Sequence, residues 1–372
     1  MSNLKVAIVH DYLNQMGGAE RVVGVLHKMF PEAPIYTTIV DKAKLLPELQ
    51  NASIKTTWMQ QIPHITKNFK LYFWLFPFAV KSMNLKGYDV ILSSSSAYAK
   101  GVRSSKESVH LCYCHAPMRF AWDFDNYMNH IRLPMPIKMI AKAFTLPLRI
   151  WDKSNSKKVD QVIANSTIVR ERIKAYYGLD ASVVFPPVEI SRFSVGDELP
   201  DDYFLIVSRL VSYKKIDLAV EACTKLGMKL IVIGDGDDRA RLEKLAGPSI
   251  SFLGRLDDEE VVRHMQRCKA LLFPGLEDFG ITPLEVNACG RPVVAFRGGG
   301  ALDTVISELN GMFFNEQTVD SLMDALIRFQ GMEWKPEWIR MHAEQFNESL
   351  FSTRLLHFVN FTIKKRKNDT KR

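Results

Sequence analysis

Glu277 and Glu285, with seven residues between them, lie in the stretch LLFPGLEDFGITPLEVNACGRPVVAF. The apolar run 270–273 reads as a buried parallel strand, and a loop with Gly275, Asp278 and Gly280 follows it. Thr282-Pro283 then reads as an N-cap with proline at the first helical position. The helix ends near Cys289-Gly290, and a second buried strand covers 293–296. One carboxylate thus falls in the loop and the other in the first helical turn, beside backbone amides that suit a diphosphate. Arg209 and Lys214 lie just past another apolar run, 204–207, where α/β sheets keep their ligand crevice. Two fixed cations there could stabilise negative charge on a departing phosphate without a metal ion. Each feature also has a plain structural reading. Thr282 and Glu285 have capping-box spacing, and Arg209 and Lys214 could be solvated surface cations.

Alternating strands and helices must position these residues. In the first half, strands are expected at 4–9, 88–92, 109–113 and 161–164, with a helix from Gly17-Gly18 to about Phe30. The second half restarts the pattern with strands at 204–207, 230–233, 251–253, 270–273 and 293–296. This alternation predicts doubly wound parallel sheets. At 372 residues, two domains are expected, bridged by Pro186-Pro187. The stretch 338–363 reads as helix. Gly17-Gly18 does not match the dinucleotide fingerprint G-x-G-x-x-G, so a nicotinamide cofactor is not indicated.

Five cysteines, an odd number, do not suit a disulfide framework and point to a reducing compartment. Cys112, Cys114 and His115 cluster, but no convincing fourth zinc ligand lies nearby. The N-terminal residues enter a strand without the features of a signal peptide, and no run reaches the roughly 18 apolar residues of a spanning helix.

The stretch around Glu277 and Glu285 resembles the donor-site signature of retaining glycosyltransferases of family 4, which have the GT-B architecture. The likeness covers nearly the whole chain and extends to O-antigen mannosyltransferase-type members. It implies two Rossmann-like domains facing across a cleft, an acceptor domain at 1–186 and a donor domain at 187–349. The last helix, about 350–372, would return to the first domain. It further implies that Arg209 and Lys214 hold the donor diphosphate, although Lys215 stands where the family often has glycine. The amides of Phe279, Gly280 and Ile281 would meet that diphosphate too. Glu285 would bind the ribose, and Glu277 the hydroxyls of the transferred sugar, with Asp278 standing where glycine is frequent. The turn at Gly234 and the loop at Gly254-Arg255 would approach the nucleotide. Gly17 and Gly18 would approach donor and acceptor. His115 matches a histidine that orients and polarises the sugar. The implied donor is GDP-mannose or another GDP- or UDP-hexose, used without cofactor or metal by same-face displacement. Two alternatives are a nucleotide-sugar epimerase of this fold and a non-catalytic sugar-nucleotide-binding protein.

Charge points to the second substrate. Residues 1–185 hold 24 Lys and Arg against 13 Asp and Glu, and the tail KKRKNDTKR is basic. A basic half implies an anionic partner. No nucleic-acid-binding signature is present, so an anionic membrane is the expected partner. Residues 71–80, LYFWLFPFAV, and 131–150 combine apolar and basic residues as interfacial helices do. Packing in a domain core is the competing reading. A polyprenyl-diphosphate-linked glycan acceptor at the cytoplasmic face of the inner membrane is the expectation, in cell-surface polysaccharide synthesis.

Overall fold

A computed structural model describes residues 4–125, 135–196 and 199–370. The chain divides into two compact units, Met1–Pro187 with Ser349–Arg372, and Val188–Glu348. Each is described by itself.

Among the described residues, the first unit is built on a seven-stranded parallel sheet in the order β3-β2-β1-β4-β5-β6-β7. The strands are β1 Val6–His10, β2 Ile35–Thr37, β3 Ile54–Thr56, β4 Val90–Ser95, β5 Val109–Cys114, β6 Gln161–Ala164 and β7 Ser182–Val183. β1, β4 and β5 are buried along their whole length; β1 and β5 are mostly apolar, whereas β4 ends in the buried serines Ser93, Ser94 and Ser95. The helix Gly18–Met29 buries Val22, Val23 and Leu26 against this sheet. The last helix, Glu348–Thr370, joins the same core through Phe351, Leu355 and Val359. Arg366 of this helix pairs with Asp160 at 3.3 Å and donates to the Ser108 carbonyl at 3.1 Å.

The second unit repeats the plan with six parallel strands in the order β10-β9-β8-β11-β12-β13. They are β8 Phe204–Val207, β9 Leu230–Ile233, β10 Ile250–Gly254, β11 Ala270–Phe273, β12 Val293–Phe296 and β13 Gly311–Phe314. In both sheets the chain winds outward from one strand, then crosses back and winds the other way. β1 and β4 flank the switch point in the first unit, and β8 and β11 in the second. Parallel sheets keep their ligand crevice outside the carboxyl ends of strands at such a point.

Three local expectations are corrected. The helix after β11 runs Ile281–Ala288 with Gly280 as N-cap, so Thr282 and Pro283 sit inside the first turn and the Thr282–Glu285 capping box is not formed. Gly280 takes this place because its φ of 83° is a backbone conformation that suits glycine. Glu285, the fifth helical residue, therefore lies two residues further in than expected. The expected helix over 338–363 is two helices, Pro336–Ala343 and Glu348–Thr370, separated by a short 3₁₀ turn at Glu344–Phe346.

Candidate functional site

The carboxyl ends of β8 and β11 bring two of the candidate residues into contact. β8 leads into a 3₁₀ turn at Ser212–Lys214, and β11 into the loop that holds Glu277. Lys214 Nζ forms an ion pair with Glu277 Oε1, and both side chains are largely buried. A small cavity lined by Ser208, Lys214, Pro274, Gly275 and Glu277 opens beside the pair. Lys214 also lies 5.7 Å from the ring of Tyr213, whose hydroxyl accepts from Arg209 Nη2 at 3.1 Å. Arg209 is exposed and does not join the ion pair directly; Tyr213 links the two cations. Tyr213 escaped the sequence reading, since a lone tyrosine beside two lysines carries no spacing signal. Lys215 is exposed and left-handed, with φ 53° and ψ 34°, which turns the chain into the helix Ile216–Leu226.

The Glu277 loop is held from both sides by close backbone packing. A Cβ on Gly275 would stand 2.9 Å from the Lys214 carbonyl oxygen, and one on Gly300 would stand 2.2 Å from Phe279 Cα. The Gly300 amide donates to the Glu277 carbonyl at 2.8 Å. Gly299 and Gly300 were not among the candidates, although the run Arg297-Gly-Gly-Gly after β12 could have signalled them.

Phe279 is buried and packs 6.2 Å from the Phe346 ring, which anchors the loop before the helix Ile281–Ala288. The first amides of a helix have no partners within it and carry the positive end of its dipole, so this start suits an anion. Glu285 lies one turn along and is buried, 9% exposed. The Gly234 amide donates to the Gly254 carbonyl at 2.7 Å, which ties the loops after β9 and β10 together. Arg255, the next residue, is exposed.

The candidates of the first unit lie around its own switch point. Gly17 is the N-cap of Gly18–Met29, and its amide donates to Glu20 Oε2 at 2.9 Å. A Cβ at Gly17 would come within 2.7 Å of that carboxylate oxygen. Gly18, the first helical residue, is exposed. His115 follows β5, and its Nε2 lies 2.7 Å from Ser94 Oγ at the end of β4. Burial pushes the Cys112 thiol up to about 11 and raises Cys114 as well, so neither neighbour is disposed to form a thiolate.

His10, Asp11 and Ser94 are buried here and were missed as candidates. Polar residues closing apolar strands, as in VAIVHD and ILSSSS, were the available signal. The Asp11 carboxylate accepts four backbone amides, from Ser96, Ala97, Tyr98 and Ala99, at 2.6–2.9 Å.

Residues 188–344 match the family described as Glycosyl transferases group 1, and residues 16–192 match Glycosyltransferase Family 4. The chain is similar to the alpha-1,3/1,6-mannosyltransferase ALG2 of Candida glabrata, 25% identical over 372 residues that cover 82% of this chain and 78% of the relative. The same enzyme of Saccharomyces cerevisiae is 22% identical over 369 residues, 82% of this chain and 72% of the relative. In fold, the chain resembles a sucrose-phosphate synthase of Thermosynechococcus elongatus, with a TM-score of 0.74 at 17% identity over 98% of this chain and 100% of the other. Anabaena Alr3699/HepE in complex with UDP gives 0.70 at 16% identity, over 96% and 100%. With family matches running from residue 16 to residue 344 and a parallel sheet in each unit, the chain belongs to the family 4, group 1 glycosyltransferases and has their two-Rossmann GT-B fold.

Proposed function

We propose that this hexosyltransferase moves mannose from GDP-mannose, with retention of anomeric configuration, to a polyprenyl-diphosphate-linked glycan. The Lys214–Glu277 ion pair at the switch point of the second unit carries this assignment. Lys214, Arg209 and the start of the helix Ile281–Ala288 together offer positive charge to a diphosphate. As the glycosidic bond breaks, charge builds on that diphosphate, and donors already in place stabilise it without reorganisation. Glu277, paired with Lys214, accepts hydroxyl hydrogen bonds from the sugar; Glu285 takes the ribose. The departing phosphate accepts the acceptor's proton on the same face, and because Lys214 and Arg209 meet its charge no metal ion is needed. Similarity to mannosyltransferases supports the choice of sugar.

The lipid-linked acceptor draws support from the surface of the first unit. Leu71, Trp74 and Phe78 are 64%, 49% and 65% exposed, while their neighbours Phe76, Ala79 and Val80 are buried. The segment therefore satisfies both of its sequence readings, on different side chains. Of the second greasy stretch, 131–134 lie outside the described residues; from Met135 it forms the helices Met135–Ala143 and Thr145–Ser156. Met139, Ile140, Leu146 and Ile150 are each more than 60% exposed. The Phe73 and Phe144 rings meet at 5.7 Å and join the two stretches. Exposed Lys67, Lys70, Lys81 and Lys142 add the charge that an anionic leaflet attracts. Among the described residues no helix is long and apolar enough to cross a membrane. The protein would act as a peripheral enzyme at the cytoplasmic face, in the assembly of a cell-surface polysaccharide.

Purified enzyme, radiolabelled GDP-mannose and a polyprenyl-diphosphate-linked acceptor should yield an α-linked product in EDTA. Glu277→Gln should lower kcat by about 100- to 1,000-fold. Transfer only from UDP-hexoses would overturn the choice of donor, and loss of activity on chelation would overturn metal independence.

A further inference from the structure

Four buried polar side chains of the first unit form a continuous line: Glu20 from the first helix, His10 from β1, Ser94 from β4 and His115 after β5. His10 Nε2 lies 3.6 Å from Glu20 Oε1. His10 Nδ1 lies 3.0 Å from the Ser94 carbonyl and 3.1 Å from Ser94 Oγ. Ser94 Oγ in turn lies 2.7 Å from His115 Nε2. The four amides gathered by Asp11 fasten β1 to the turn after β4, so this spacing is held by backbone.

Chemistry sets the direction of each proton. A carbonyl oxygen only accepts, so His10 Nδ1 must carry a hydrogen and donate it toward Ser94. Ser94 Oγ is then an acceptor on the His10 side, which frees its single O–H to donate to His115 Nε2. In that arrangement Nε2 presents its lone pair, and the proton of a neutral His115 resides on Nδ1. Burial by itself lowers the His10 pKa, but the Glu20 carboxylate and then Asp11 carry it above its ordinary value, consistent with a His10 that donates from both nitrogens.

We propose that Glu20, His10 and Ser94 are positioning residues that fix the tautomer and ring orientation of His115. The consequence for transfer, an Nδ1–H donor held toward a sugar hydroxyl, rests on the reading of His115 as a sugar contact. Orienting partners of this kind decide which histidine nitrogen is available for chemistry.

Long-range ¹H–¹⁵N correlation spectra of the full-length protein, labelled at histidine, read the tautomer directly. His115→Gln identifies the His115 signals. The expected wild-type pattern is a protonated Nδ1 and a bare Nε2. Ser94→Ala should mix the tautomers and lower kcat about tenfold with little change in KM for the donor, and Ser94→Thr should restore both. A wild-type His115 protonated on Nε2, or an unchanged tautomer in Ser94→Ala, would overturn the proposal. If Ser94→Ala does not fold, the wild-type tautomer decides alone. The expected tautomer together with full activity in His115→Ala would support the positioning and remove His115 from the sugar site.

Discussion

Lys215 holds a left-handed backbone directly behind the lysine that pairs with Glu277. A side chain in that conformation costs roughly 1 kcal/mol, which explains why glycine suits this position. Lys215→Gly removes that strain but frees the unfolded chain by a similar amount. Its stability should therefore stay within about 1 kcal/mol of the parent, and its activity should be retained. Lys214→Met should instead lose about 100-fold or more in kcat. Steady-state kinetics of the two variants decide which lysine serves the diphosphate. Because Lys214 and Glu277 act as one unit, the double variant with Glu277→Gln should be scarcely worse than either single one.

At the scale of elements, the helix Ile281–Ala288 depends on the conformation of its cap. A Cβ at Gly280 would come within 2.6 Å of Phe273 Cζ, at a φ of 83°. Gly280→Ala should cost about 1–3 kcal/mol in chemical denaturation and weaken nucleotide binding by calorimetry, since the helix start must shift. The first helix is tied to β1 by the buried Glu20–His10 pair. Burial opposes charge on both partners, yet each favours the charged form of the other: His10 is raised and Glu20 lowered. The His10 contribution is complete below its ordinary value of 6.5 and is lost as pH rises through the raised native value. The Glu20 contribution is present above 4.5 and is lost as pH falls through the lowered native value. The melting temperature should therefore decline on the alkaline side of the histidine range. Glu20→Gln should flatten that decline and cost about 3 kcal/mol overall. An equally steep alkaline decline in the variant would rule out the pair as its source.

For the whole molecule, the first 185 residues carry the excess of positive charge and the exposed Leu71, Trp74 and Phe78. Vesicles containing phosphatidylglycerol should bind the protein, and those of phosphatidylcholine alone much less. Each exposed aromatic contributes roughly 1.5–3 kcal/mol if it leaves water, so Trp74→Ala or Phe78→Ala should weaken partitioning about tenfold or more. Added salt should weaken binding to the charged vesicles as screening shortens the reach of the lysines. Flotation assays check both effects; binding indifferent to salt and to Phe78→Ala would place the acceptor surface elsewhere.

Local chemistry made much of this protein legible in one dimension. Buried parallel strands are rich in apolar residues, so β1, β8, β11 and β12 could be read directly as short apolar runs. Shorter strands such as β2, β3 and β7, of two or three residues, leave no period to read. The loop with Glu277 and the helix with Glu285 were visible as a strand–loop–helix–strand unit, but the start of that helix was not. It turns on one glycine's backbone angle rather than on the Thr-Pro pair that announces a helix in isolation. Partnerships between distant residues belong to the tertiary structure alone. Lys214 meets Glu277 because β8 lies beside β11, although β9 and β10 intervene in the chain. His10 and Ser94 meet for the same reason at the β1–β4 boundary, and His115 joins them from β5 on the other side of β4. Apolar patterning specifies that a segment is buried, whereas sheet order specifies beside what, and only the second can place one charge against another.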